Sequence, residues 1–332
     1  MIKFINRSKI IRTHRRVFVR LIGGLGNQIF QISAALDQAS NSNIDLLILQ
    51  DGSKDYQWVE DIIKNSRAEY EVRPRIYKCP KYLAKLSNVL LVCNLELKVW
   101  KGVFGLISLH LIKLYFLVRY FEKIKVYTPN NLGYANIPHN VNAIYLNGYF
   151  QSFRYSENIN VPKSIIKMFP KNECQILMRN LKKISKYDGN TIAMHVRRGD
   201  YLTNQHFGVL SSKYFEKALA NIGEKFENAQ VFLYSDDVKE AQKLFDDVQI
   251  ASFIILENCQ HNSVCTLIEM SSHRGFILSN SSFGWWAARL SRAEPRNILV
   301  PDPWFKDIES PKDIVPEDWT KISSNWNFQI EL

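Results

Sequence analysis

The sequence predicts an α/β protein of two domains, each built on a parallel sheet. Three observations carry this. First, a β-branched run at residues 17–22 leads into Gly23-Gly24-Leu25-Gly26 and then into a helical run reaching about Ser40. Strand, glycine loop and helix make the opening unit of a nucleotide-type fold. Second, from about Pro162 onward, short apolar strands alternate with helical segments at a regular pitch. That rhythm belongs to a parallel sheet covered on both faces. Third, 332 residues fit about two domains on the ordinary length prior.

The elements follow in order. After the first helix, residues 44–49 read as the second strand. Residues 55–130 are irregular, aromatic and basic, with helical stretches, and suit variable substrate contacts. Residues 143–146 read as a strand followed by Asn147-Gly148-Tyr149-Phe150-Gln151-Ser152. Tyr149 and Phe150 offer a stacking surface for a sugar, although aromatics in such places commonly serve a core. A linker is expected at 152–171. The second half then reads as strand 191–196, helix 213–226, strand 231–234, helix to about 245, strand 253–256, helix 263–272 and strand 275–278. A helix opens near Gly284-Trp285-Trp286, and strand 297–300 is closed by Pro301 and Pro303. The expected division is residues 1–160, with 50–140 variable and helical, then 161–310, then a tail at 311–332.

Composition narrows the classes. Apolar residues make 46% and charged residues 23%, ordinary for a globular chain. A net charge of +11 favours anionic partners: nucleotides, nucleic acid or an acidic membrane surface. No stripe of Lys and Arg with interleaved aromatics, and no helix-turn-helix pattern, supports nucleic acid. Five cysteines, an odd number with no CxxC pair, argue against a disulfide framework and a zinc site. The N-terminus is basic without an apolar core behind it, so neither a signal peptide nor an anchor is expected. The apolar stretch 103–120 is broken by His110, Lys113 and Arg119 and reads as a buried or interfacial helix. Residues 81–126 combine basic and apolar side chains and suit peripheral membrane contact. The expected location is the cytoplasm, with possible contact to the membrane face.

The chemistry gathers at strand ends. His195-Val196-Arg197-Arg198-Gly199-Asp200 closes the apolar strand 191–196. Two adjacent guanidiniums there match the fork geometry of phosphate, unless they form a solvated pair with a local carboxylate. Ser235-Asp236-Asp237 and Ser279-Asn280-Ser281-Ser282 end two more strands, and in a parallel sheet all three ends share one edge. That edge holds arginines for phosphate, carboxylates for a purine N–H pair, and hydroxyls opening a helix. Asp236 and Asp237 also have the chemistry of metal ligands, but the arginines already supply positive charge, and no metal is expected. Gly23–Gly26 lacks the GxGxxG pattern, and Asn27 and Gln28 place amides at the helix start instead. If the domains stack, this loop faces the arginine edge across a cleft. The set describes a transferase for a nucleotide-activated donor.

The segments GGLGNQIFQ (23–31), HVRRGDY (195–201), LYSDD (233–237) and SNSSFGWWAARL (279–290) resemble the signature blocks of the α-1,2-fucosyltransferase family (glycosyltransferase family 11), bacterial type. NGYFQS (147–152) and HNSVCTLIEMSSH (261–273) resemble its weaker blocks. The likeness spans most of the chain outside 50–140. It implies a GT-B-like fold, two Rossmann-like domains facing across a cleft, with the C-terminal one binding the GDP-sugar. It further implies GDP-fucose as donor substrate, a galactoside acceptor, inversion, no metal and no separate cofactor. By position, Arg197 matches the arginine on the donor β-phosphate. His195 and one of Asp236 or Asp237 match positions around guanine. Ser281, Ser282 and Phe283 match the phosphate-facing helix start, and Asn27 and Gln28 match amides near the fucose. Arg198, Ser235 and Asn280 complete the expected donor set; Tyr149 and Gln151 are the expected acceptor contacts. Arg197 and Asp200 are the catalytic candidates, Asp200 as base or as brace for the arginines. The chain departs from the pattern at Ile32, Gly284 and Arg289. Another GDP-sugar transferase, or a protein O-fucosyltransferase of similar fold, remains the alternative. A lipid-linked glycan would give the basic stretch 81–126 a purpose.

Overall fold

The computed structural model describes residues 15–39, 44–50, 75–78, 125–127, 132–134, 136–138, 143–157, 175–203, 206–223, 226–246, 253–257 and 262–326. The expected helix at 103–120 and nearly all of the basic stretch 81–126 lie outside these residues.

The first sheet contains β1 (Arg15–Arg20), β2 (Ile44–Gln50), β3 (Arg75–Lys78), β4 (Lys125–Tyr127) and β5 (Ala143–Leu146), ordered β3-β2-β1-β5-β4 and parallel throughout. Val17, Phe18 and Val19 of β1 are all buried, so both faces of the strand are covered. That explains a run of apolar residues where a one-faced strand would alternate. α1 (Leu25–Ala39) follows the glycine loop and is buried nearly all round. Such a helix must be covered on more than one side.

The second sheet contains β6 (Thr191–Val196), β7 (Gln230–Ser235), β8 (Gly275–Leu278), β9 (Ile298–Asp302) and β10 (Thr320–Ser323), ordered β10-β9-β8-β6-β7 and again parallel. Its helices are α2 (Gln175–Ser185), α3 (Ser212–Gly223), α4 (Val238–Lys243), α5 (Ser263–Met270) and α6 (Ser282–Leu290). Successive residues of β6 join different cores. Ala193 packs towards α6, while Ile192, Met194 and Val196 pack with α3. The chain is therefore an α/β protein of two Rossmann-like domains facing across a cleft, the GT-B-like arrangement.

Two expectations are corrected. The strand expected at 253–256 shrinks to one bridge, Ile254 to Phe232. Beyond it, the Glu257 carbonyl accepts from Asn180 Nδ2 at 2.8 Å and not from a neighbouring strand. The expected tail 311–332 is no tail over its described part. Thr320–Ser323 adds the fifth strand beside β9. It is a four-residue edge strand with Lys321 and Ser323 exposed, so its apolar signal is faint.

The domains meet along a seam between α1 and α6. Phe30 lies 4.6 Å from the Trp285 ring and 5.1 Å from that of Trp286, all three buried. At Gly26, a Cβ would strike the backbone of Ser282 and Phe283. The C-terminal stretch closes the seam again. Asp313 Oδ2 accepts from Tyr134 N–H and Ser152 Oγ, both at 2.8 Å. Its carbonyl accepts from Phe153 N–H at 2.8 Å. Trp285 Nε1 donates to the Ile314 carbonyl at 2.7 Å. Arg289, one of the departures from the family pattern, donates to Ser156 Oγ and to its carbonyl at 3.1 and 2.7 Å. These bonds hold the stretch expected as a linker, 153–157, firmly onto both halves.

Candidate active site

Each sheet has one point where the chain reverses its direction of growth: between β1 and β5 in the first, between β6 and β8 in the second. Crevices open at the carboxyl ends of strands at such points. A cleft of about 570 Å³ lies there, lined from one side by Gly23–Asn27, Tyr149 and Gln151, and from the other by residues following β6, β7, β8 and β9.

Arg197 sits on the cleft with its side chain 27% exposed. One terminal nitrogen donates to Asp200 Oδ1 at 2.5 Å and the other lies 3.2 Å from Asp236 Oδ2. Its Nε is buried and has no partner among the described residues. Its backbone N–H donates to Ser279 Oγ at 3.1 Å, and the same hydroxyl lies 2.8 Å from His195 Nδ1. Burial first, and the Arg197 charge second, push the His195 pKa down to about 3. The imidazole is therefore neutral at neutral pH. It rests on Gly284, where a Cβ would stand 3.2 Å from the ring, which accounts for glycine at that departure from the pattern.

Two helices open onto the same cleft. Ser281 caps α6, its side chain accepting from Phe283 N–H, and the first turn of α1 comes against it at Gly26. Both N-termini present free N–H groups and positive dipole ends, which suit an anion. Asn27 Oδ1 accepts from Gln151 Nε2 at 2.8 Å and ties the glycine loop to the turn after β5. Among the described residues no group of three or more His, Cys, Asp or Glu is placed to hold a metal ion.

Of the expected residues, Asn27, Tyr149, Gln151, His195, Arg197, Asp200, Ser235, Asp236, Asn280, Ser281, Ser282 and Phe283 line the cleft. Three do not. Arg198 is buried; its guanidinium donates to the Leu210 carbonyl and its N–H to Asp236 Oδ1. The period of the strand explains this: His195 and Arg197 share one side, Val196 and Arg198 the other. The expected pair of phosphate-facing arginines is thus one arginine. Asp237 caps α4 by accepting from Glu240 N–H. Gln28 is buried and donates to the Gly23 carbonyl at 2.8 Å, bracing the glycine loop. Of the two readings open for Phe150, sugar platform or core, the structure shows the core one: it is wholly buried with φ of 53°.

Other lining residues were not expected. Tyr201, Phe207 and Phe305 form an aromatic side, and Asn262, Ser263 and Thr266 present polar groups at the start of α5. Asn262 before an apolar helix is a legible cap, and Phe305 follows a strand end on the same edge. Phe207 comes from a loop that carries no sequence signal.

The model described as Glycosyl transferase family 11 matches residues 111–323. The chain belongs to glycosyltransferase family 11. This family 11 chain is 27% identical over 321 residues to the O-antigen biosynthesis glycosyltransferase WbnK of Escherichia coli, covering 91% of the chain and 99% of that protein. It is 24% identical over 315 residues to an α-1,2-colitosyltransferase of Escherichia coli, 92% and 98% covered. A galactoside 2-α-L-fucosyltransferase of Caenorhabditis elegans is 27% identical over 199 residues, 55% and 53% covered. Among solved structures, the fucosyltransferase NodZ from Bradyrhizobium aligns with a TM-score of 0.47 at 15% identity, covering 90% of this chain and 99% of that one.

Proposed function

We propose that this family 11 enzyme transfers L-fucose from GDP-fucose to a galactoside hydroxyl of a glycan, forming an α-1,2 linkage with inversion. The observation that carries the reading is Arg197, set at the switch point of one sheet and beside two converging helix N-termini. The signature blocks and the fucosyl and colitosyl relatives add support.

As the bond from the anomeric carbon to the phosphate oxygen breaks, its electron pair moves onto the β-phosphate. Arg197 and the N–H groups opening α1 and α6 meet that charge. Groups already in place where charge develops stabilise the transition state more than the ground state. Positive charge grows on the ring, and the acceptor oxygen bonds to the anomeric carbon from the opposite face while its proton leaves to water. Both cleft carboxylates among the described residues, Asp200 and Asp236, are engaged by Arg197. Asp200 acts as a brace in this reading, holding the fork in position. Positive charge from Arg197 and the helix ends replaces that of a metal ion.

The test is transfer from GDP-fucose to a panel of galactosides, with the product linkage assigned by NMR. Failure to consume GDP-fucose with any acceptor overturns the reading. The similarity to an α-1,2-colitosyltransferase favours a second reading, transfer of colitose from its GDP form, and the same assay with both donors separates the two. A lipid-linked O-antigen or capsule glycan is the acceptor we favour, met at the membrane through residues 81–126. Flotation with anionic vesicles at low salt, and release at high salt, supports that placement.

A further inference from the structure

The cleft is polar around Arg197 and aromatic next to it. The Arg197 guanidinium lies 5.2 Å from the Tyr201 ring centre. Tyr201 stacks on Phe207 with centres 5.1 Å apart, and Phe207 lies 5.8 Å from Phe305. The wall is thus continuous from the phosphate-binding arginine to Phe305, which is itself 3% exposed and part of the core. Its polar atoms are already used. Tyr201 Oη donates to the Asn280 carbonyl at 3.2 Å, and burial raises its pKa to about 12, so it stays a phenol. Asn280 Nδ2 donates to the Phe207 carbonyl at 2.7 Å and fixes the loop that carries this ring. Phe207 and Phe305 offer no side-chain donor or acceptor.

We infer that this wall selects the donor sugar by its apolar end: Tyr201, Phe207 and Phe305 receive the methyl group on C5 of a 6-deoxyhexose and reject a hydroxymethyl group there. The inference rests on the proposed function, since it takes a GDP-sugar to be the donor. Tethering favours the donor over the acceptor as occupant. The sugar is covalently bound to the phosphate that Arg197 holds, so it must lie within one ring of that guanidinium, where the wall begins. The expected acceptor contacts, Tyr149 and Gln151, line the cleft from the other domain. A hydroxyl pressed against these rings loses water and gains no partner, whereas a methyl group loses nothing.

The experiment compares kcat/KM for GDP-L-fucose and GDP-L-galactose, which differ only by a hydroxyl on C6. An apolar pocket discriminates against an added hydroxyl by about a hundredfold. The wild-type enzyme is expected to prefer GDP-L-fucose by about that factor. Phe207→Ala is expected to bring the preference below about tenfold, while Phe207→Leu, still apolar, keeps most of it. The acceptor KM stays within about twofold in both variants, since the wall lies with the donor. Equal use of the two donors by the wild type overturns the inference and leaves the proposed function standing. A raised acceptor KM with unchanged donor preference also overturns it and gives the wall to the acceptor. Transfer from neither donor overturns the proposed function and this inference with it.

Discussion

Arg197 gives two of its nitrogens to carboxylates before any ligand arrives, and this decides what its replacement does. Lysine supplies a point charge, not a fork, so it can neither span Asp200 and Asp236 nor grip two phosphate oxygens. Arg197→Ala is expected to lower kcat about a hundred- to a thousandfold, and Arg197→Lys to retain less than about a tenth of wild-type activity. Steady-state kinetics with GDP-fucose measure both. Asp200→Asn separates brace from base. A brace replaced by an amide still accepts a hydrogen bond, so the loss stays under about tenfold and the pH profile keeps its shape. A general base costs about a hundred- to ten-thousandfold and removes the acidic limb. The buried histidines set a different dependence. Burial holds both His195 and His273 near pKa 3 when folded. In the unfolded chain they titrate near 6.5, so unfolding takes up protons below that pH. Their contribution is complete above about pH 6.5 and is lost as pH falls towards 3. Between pH 7.5 and 5.5 the pair should cost about 3 kcal/mol of stability, read by urea unfolding, and His273→Gln should roughly halve that loss. Most of the site residues were legible from motif blocks. Arg198 was not, because adjacency in sequence hides the alternation that sends neighbours of a strand to opposite faces.

Among the elements, α1 and α6 decide the geometry of the cleft. Their first turns touch because Gly26 lacks a side chain, and their aromatic faces interlock through Phe30, Trp285 and Trp286. Gly26→Ala should destabilise the protein by about 1–3 kcal/mol, since a methyl group would press on backbone that cannot turn aside. The same variant should raise the KM for GDP-fucose, because the two N-termini move apart. A gain in stability measured by urea unfolding would contradict the contact. Strands buried on both faces, β1, β6 and β8, were legible as apolar runs, and β5 and β8 match their expected limits. The bridge at Ile254 was read as a whole strand, because the apolar run around it does not show that pairing stops after one residue, and the edge strand β10 was not read, because it carries few apolar side chains.

At the scale of the molecule, positive charge for the donor phosphates comes from protein groups alone in the proposed mechanism. Turnover should therefore survive EDTA unchanged. Loss on chelation with recovery on adding a divalent ion would turn Asp236 into a ligand candidate. The two-domain plan and the cleft between the domains were legible from strand ends and the glycine loop. What the sequence concealed was the path of the last described residues, because a turn rich in Pro, Lys and Asp looks like any solvated loop. Asp313 lies in that turn, yet its carboxylate is shared by Tyr134 and Ser152. This limits how this chain can be recombined. A hybrid that keeps the front of this chain and takes another back half from near residue 160 replaces the acid to which Ser152 and Tyr134 donate. The front half of this chain is then no detachable cassette. A productive crossover must carry residues 311–319 along with the front half, making the exchange a double one.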